Sequence, residues 1–286
     1  MRFRVKFGIF LRGIAFAVTA SFAATGATAQ QAATIGQTVI TAAHMLDVAS
    51  GKTVDHSAIF VGSDGRTTNI ADARTVRWGA DVRHIDLGER TLLPGLIDMH
   101  VHLTSLAEVG GYPALRYTDS FWTVVGIANA KTTLDAGFTT VRNVGSADFE
   151  DVGLKQAIEG GYIPGPRIIP AGWAIGATGG HYDSGGLPPS MDRKEPSVVD
   201  SPEEARRKVR WLHKYGARVI KICATGSVFS LGDSVGGQQL SLDEMKAIAV
   251  GRYADIIAVD GDALADVTRL EHVAAVMKAG VLVKGE

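Results

Sequence analysis

The 286-residue sequence has a single cysteine, Cys223, so an internal disulfide is excluded. It also lacks an excess of charge of either sign: 29 Lys and Arg stand against 30 Asp and Glu, for a formal net charge of −1. No Lys/Arg cluster is long enough to follow a phosphate backbone, which removes nucleic acid as an expected partner. There is no internal repeat beyond a strand-and-helix alternation, and no low-complexity tract. The apolar run from Ile14 to Ala24 is short for a bilayer-spanning helix. What is present is a composition 46% apolar, sufficient for a large core, and 34 glycines, which imply many tight turns.

Residues 1–29 are expected to stand apart from that core as a signal peptide. Arg2, Arg4, Lys6 and Arg12 form a cationic leader, the apolar run follows, and Ala27-Thr28-Ala29 supplies a small-x-small cleavage pattern before Gln30. The leader has no Arg-Arg pair, so the expected route is Sec-type rather than twin-arginine. The expected location is periplasmic or secreted, with no stable membrane span after cleavage. An uncleaved anchor is the alternative.

Residues 30–93 contain short β-branched stretches bounded by Gly, Asp or Ser, such as "TVITAAHMLDV" and "SAIFVGSDG", and predict a small β module. From Pro94 the pattern changes to βα units around a parallel sheet, continuing to residue 250. Expected strands are "LIDMHVHL", "FTTVRNVG", "PRIIPAG" and "RVIKICATG", with helices from about Trp122 to Ala136 and from Phe149 to Ile158. Ser201-Pro202-Glu203-Glu204 combines an N-cap, a proline at the first helical position and a capping box, and Ser241 with Glu244 repeats the box. Residues 251–286 return to strand texture, and "VAAVMKAGVLVKG" predicts a closing hairpin.

Side chains alternate between the faces of a strand. In the first strand of the second region, Asp98, His100 and His102 share one face, while Ile97, Met99, Val101 and Leu103 share the other. Two imidazoles at this spacing can aim ring nitrogens at one divalent ion, with Asp98 orienting one of them from behind. A partly exposed polar strand is the simpler alternative. In "RVIKICATG", Lys221 points opposite Ile220 and Ile222. A lysine pointing inward from a parallel strand needs a partner or a lowered pKa. Once neutral, it can capture carbon dioxide as a carbamate, an anionic ligand able to bridge two metals. A salt-bridged or snorkelling lysine is the alternative, and Cys223 suits a packed apolar role.

Together "LLPGLIDMHVHL", "TTLDAGFTTVRNVG", "IPGPRIIPAGWAI", "TGGHYD", "VIKICATG" and "GRYADIIAVDGD" resemble the amidohydrolase superfamily, in its imidazolonepropionase-like and Xaa-Pro-dipeptidase-like branch. The resemblance implies an α/β fold: a TIM-like (β/α) barrel with a small β-sandwich built from the N- and C-terminal segments. It implies hydrolysis of C–N bonds in a small-molecule or peptide-like amide, with one or two divalent metals, zinc foremost. By the same resemblance His100 and His102 are metal ligands, Lys221 is the carboxylated lysine, His181 faces substrate, and Asp98 is the aspartate before the metal histidines.

The departures are large. The family adds histidines from the fifth and sixth strands and a proton-accepting aspartate from the eighth. Here the only histidine after Lys221 is His272, and Asp233, Asp243, Asp255, Asp260, Asp262 and Asp266 do not fall where an eighth strand would end. A complete barrel takes about 250 residues. Pro94 to Val250 has room for four βα units, so half of the barrel is expected to be missing at a junction near Ala249 to Gly251, and the catalytic base is unassigned. The rival expectation is a non-catalytic remnant that binds metal or a partner. A deaminase holding one metal without a carboxylated lysine is a third. Two half barrels pairing as a homo-oligomer would close the exposed sheet edges.

Overall fold

Two ten-residue strands, β1 (Thr38–Asp47) and β2 (Lys52–Val61), begin the described chain as an antiparallel hairpin. Its turn is set by Asp47, whose carboxylate accepts from Ala49 N and Ser50 Oγ, and by Gly51, whose φ of 68° suits a residue without Cβ. The computed structural model describes residues 38–109, 112–183, 188–191, 194–226, 234, 236–249, 256–259, 273–278 and 281–284. The expected signal peptide therefore lies outside the described residues. Contacts divide the chain into two units, Met1–Pro94 and Gly95–Glu286.

In the first unit, β3 (Thr67–Asp72) pairs antiparallel with β2, while β4 (Arg83–Asp86) and the two-residue β5 (Thr91–Leu92) run parallel to β1. Val39, Ala58, Phe60 and Val82 form its core, and the Trp78 ring meets Phe60 edge-on at 6.4 Å.

The second unit is α/β. Its sheet is β6 (Leu96–Val101), β7 (Phe138–Asn143) and β8 (Arg167–Pro170), all parallel and in that order. Helix α1 (Asp119–Asp135) connects the first two strands and α2 (Glu150–Glu159) the next two. Parallel neighbours require such crossovers, and the helices bury the apolar side of the strands beneath them. Leu103, Ala130, Val141, Leu154 and Ile168 form that core. Helix α1 ends at Gly137, whose φ of +94° closes the turn.

One buried carboxylate ties this layer together. Asp151 Oδ2, on α2, accepts from Ala171 N and Gly172 N at 3.0 Å each and from Asn143 Nδ2 at 3.2 Å. It thereby fixes the ends of β7 and β8 to the helix. Burial raises its pKa, against these hydrogen bonds.

Helices α3 (Pro202–Lys214) and α4 (Leu242–Ala249) pack around a second core that includes Trp173, Ile175, Leu212, Leu240 and Ile248. Ser201 Oγ accepts from Glu204 N as the expected cap, but the Glu204 carboxylate reaches Asp200 N instead of closing the box. At α4 the box is complete: Glu244 N donates to Ser241 Oγ and Ser241 N to the Glu244 carboxylate.

The fourth expected strand differs. Residues 217–226 follow the chain after β8 but form only isolated bridges, Ile175 with Ile222 and Thr225 with Gln238. Arg218 N donates to Pro170 O, Ile175 N to Lys221 O and Cys223 N to Ile175 O. Between these points the ladder is interrupted, because Pro170 has no N–H and Gly172 N–H is committed to Asp151. Further on, β9 (Ile256–Val259), β10 (Val273–Lys278) and β11 (Val281–Lys284) form an antiparallel sheet of their own, in which β10 and β11 make the expected hairpin.

Candidate functional site

The chemistry gathers where β6 and β7 face residues 219–222. Val101, at the end of β6, packs against the helix-side core, so His100 and His102 on either side of it take the opposite side. Asp98 lies before a register shift and pairs with Val141, so the single face expected for all three is broken there. The carboxylate of Asp98 accepts from His100 N at 2.9 Å, bracing the backbone rather than an imidazole ring. The two rings lie with centroids 5.5 Å apart at 63°. Imidazoles bound to a tetrahedral ion at Zn–N lengths of about 2.0–2.1 Å hold their centroids about 5 Å apart, close to the spacing of this pair.

His102 has its orientation set. Its Nδ1 lies 3.4 Å from Gly145 O, a long contact that leaves Nε2 free to point elsewhere. Desolvation lowers its pKa, the nearby His100, Lys221 and His181 lower it further, and the Gly145 carbonyl opposes them. The neutral ring is the ligating form, so this environment favours coordination.

Lys221 and His100 line one cavity of about 260 Å³ with Arg142, Val144, Val219, Ile220 and Ile222. Lys221 is half-buried, and Ile220 and Ile222 pack toward the core around Trp173. Cys223 is buried and free, as suits a packed small side chain. His181 stands on the loop after β8, its N–H donating to Gln239 Oε1 at 3.0 Å and its ring 6.4 Å from that of Tyr182. Tyr182 is drawn in beside it: a Cβ built on Gly145 would collide with the Tyr182 hydroxyl and lie 3.5 Å from His102 Cε1. Burial pushes the Tyr182 phenol up, so it remains a proton donor throughout the ordinary pH range.

Among the described residues, no group of three or more His, Cys, Asp or Glu side chains is arranged to hold a metal ion. The imidazole pair supplies two donors, and a full coordination shell would need Lys221 as an anionic ligand or donors from elsewhere. Sequence reasoning passed over Arg142 and Tyr182. For Arg142 the signal was available, because in "FTTVRNVG" it alternates with Val141 and Asn143, which face the helices.

Residues 91–249, more than half of the chain, match the amidohydrolase family. The chain belongs to that family. Over 183 residues it is 31% identical to ochratoxinase from Aspergillus niger, covering 55% of this chain and 36% of that protein. Among solved structures it is similar to a Xaa-Pro dipeptidase with methionine bound in its active site, at a TM-score of 0.67 and 32% identity, over 74% of this chain and 53% of that one. A prolidase complexed with N-methylphosphonate-L-proline gives a TM-score of 0.65 at 33% identity, covering 76% and 54%. The second unit is accordingly part of a TIM-like barrel. The chain spans about half the length of these solved structures and about a third of the ochratoxinase.

Proposed function

We propose that this chain derives from an exported, metal-dependent amidohydrolase acting on C–N bonds of small amide or peptide-like substrates. The observation that supports the reading best is the cavity shared by His100 and Lys221, with the His102 ring 5.5 Å from that of His100, inside the segment that matches the family. His100 and His102 would hold a divalent ion, zinc foremost, and Lys221 would join them as a carbamate. When bound, the ion supplies Lewis acidity and activates water. The protein's own contributions are orientation and exclusion. Asp98 fixes the backbone of β6 at His100, Gly145 O sets the His102 ring, and the aliphatic walls of the cavity limit water.

No described residue takes the role of the family's eighth-strand aspartate. General-base assistance contributes about 100 to 10,000-fold, so turnover is expected to be slow at best. The second reading is a metal- or partner-binding remnant without catalysis, in which His100 and His102 would still hold an ion. The missing half of the barrel, a junction near residues 249–251 and a β-sandwich shared by the two terminal segments belong to the proposal as well. So does periplasmic or secreted location, which recovery of mature protein beginning at Gln30 would test.

The deciding experiment is hydrolysis of Xaa-Pro dipeptides by zinc-reconstituted protein, with His100→Ala as control. Slow turnover abolished by the substitution supports the hydrolase. Zinc binding without turnover supports the remnant.

A further inference from the structure

We propose that the solvent face of α3 docks on an anionic phospholipid surface. The inference goes beyond the cavity beside β6 and uses none of its residues. Residues 205–232 contain no Asp or Glu, although acids slightly outnumber bases in the whole chain, 30 against 29. Arg206, Arg207, Lys208, Arg210, Lys214 and Arg218 all fall in that stretch. The apolar side of α3 is taken up by the core: Ala205 and Leu212 are fully buried, and Val209 packs beside them. The cations therefore take the outer side, where Arg207, Arg210 and Lys214 are exposed at intervals of three and four residues, about one helical turn.

This face is poorly neutralised. Glu203 and Glu204, in the first turn, reach Arg206 and Arg207 at 3.7 and 3.8 Å. Among the described residues, no acid pairs with Lys208, Arg210, Lys214 or Arg218. Elsewhere cations have close acids, as Arg74 has Asp72 at 2.6 Å and Lys155 has Glu159. Desolvation lowers the Lys208 pKa, and Arg207 and Lys194 lower it further against Glu204, so like charge outweighs unlike charge around that ammonium. Two aromatic rings border the stripe. The Lys208 ammonium stands 5.0 Å from the Trp211 ring centre, and that of Lys214 5.0 Å from the ring of Tyr215, a residue 47% exposed. Tryptophan and tyrosine suit headgroup depth, where one end of the side chain is apolar and the other wet. From Arg207 to Lys214 the helix rises only about 10 Å, a short track for a phosphate backbone. Headgroups of a fluid bilayer can instead gather around a compact patch. Because the apolar side of α3 faces the protein, the contact is peripheral and electrostatic rather than inserted.

Co-sedimentation with vesicles tests the proposal. Arg2, Arg4, Lys6 and Arg12 of the expected leader would themselves bind anionic lipid, so protein beginning at Gln30 is measured beside the full chain. Vesicles of phosphatidylcholine and phosphatidylglycerol in equal parts should bind both forms at least tenfold more tightly than phosphatidylcholine alone. Raising the salt should weaken that binding steeply. The triple variant Arg207→Gln, Arg210→Gln, Lys214→Gln should bind about a hundredfold more weakly, at about fivefold per cation removed. A control with the same change in charge, Arg66→Gln, Lys131→Gln, Lys246→Gln, removes exposed cations that each stand beside an acid and should bind as wild type does. The lipid comparison on unsubstituted protein beginning at Gln30 decides even if the triple variant folds poorly. Equal binding of that protein to both vesicles, binding to neither, or the same loss in the triple variant and the control would overturn the proposal. So would protein that ignores vesicles yet binds a DNA duplex or heparin, which would assign the patch to another polyanion.

Discussion

Two stretches of the same parallel sheet meet different fates. Beneath α1 and α2, the apolar residues of β7 and β8 are closed in: Val141 and Ile168 are buried, and Leu154 presses on them with 1% of its surface exposed. On β6, one strand away, Ile97 is 61% exposed and Met99 45%. The sequence pattern is the same in both places, so the difference lies in which helices are present to cover it. In a (β/α) series each crossover helix shields its own strand and the next, leaving the first strand dependent on a helix from elsewhere. The comparison teaches that an apolar stripe reports a requirement for cover, and the fold decides whether it is met.

The comparison can be sharpened by substitution. The largest effect is expected from Asp151→Ala, which leaves Ala171 N, Gly172 N and Asn143 Nδ2 without the acceptor that joins β7, β8 and α2. A loss of about 3 kcal/mol or more is expected in urea unfolding. Leu154→Ala, in the covered core, should cost about 2–5 kcal/mol by the same measurement. Gly145→Ala should follow at about 1–3 kcal/mol: its φ of +149° is strained for any other residue, and the new methyl group would collide with Tyr182. Restoration of stability by Tyr182→Phe in that background would place the cost in the collision rather than the backbone.

Ile97→Ser tests the uncovered face and should change stability by less than about 0.5 kcal/mol. It should also reduce self-association in sedimentation. A loss comparable to that of Leu154→Ala would mean that the β6 face is covered after all. The smallest effect is a pH dependence. Because burial raises the Asp151 pKa in the folded state, the native chain binds more protons than the unfolded one over that window. Stability should therefore decline as pH rises from the carboxyl's ordinary value of 3.8 through the raised one, and Asp151→Asn should flatten that slope.

Local signals were legible from sequence alone. Period-two alternation placed His100 and His102 side by side at the end of β6, and serine and glutamate at the right spacing marked the starts of α3 and α4. Signals that depend on distant partners were not. Asp151 resembles an ordinary first-turn helix acid, and only the folded chain brings the backbone of residues 171 and 172 to it. The fourth strand had the right texture in "RVIKICATG", but its ladder fails where Pro170 and Gly172 withhold their donors. The candidate site divides in the same way. The imidazole pair lies within three consecutive residues and reads directly, whereas the meeting of Lys221, Arg142 and His100 in one cavity needs the tertiary fold.

The central claim, that this chain grips a divalent cation through His100 and His102 beside Lys221, is tested most directly by zinc titration against a chromogenic chelator. Wild-type protein is predicted to take up at least one zinc per chain, with affinity falling at least a hundredfold in the His100→Ala, His102→Ala double variant. Unchanged zinc affinity in the double variant, or none in the wild type, would contradict it.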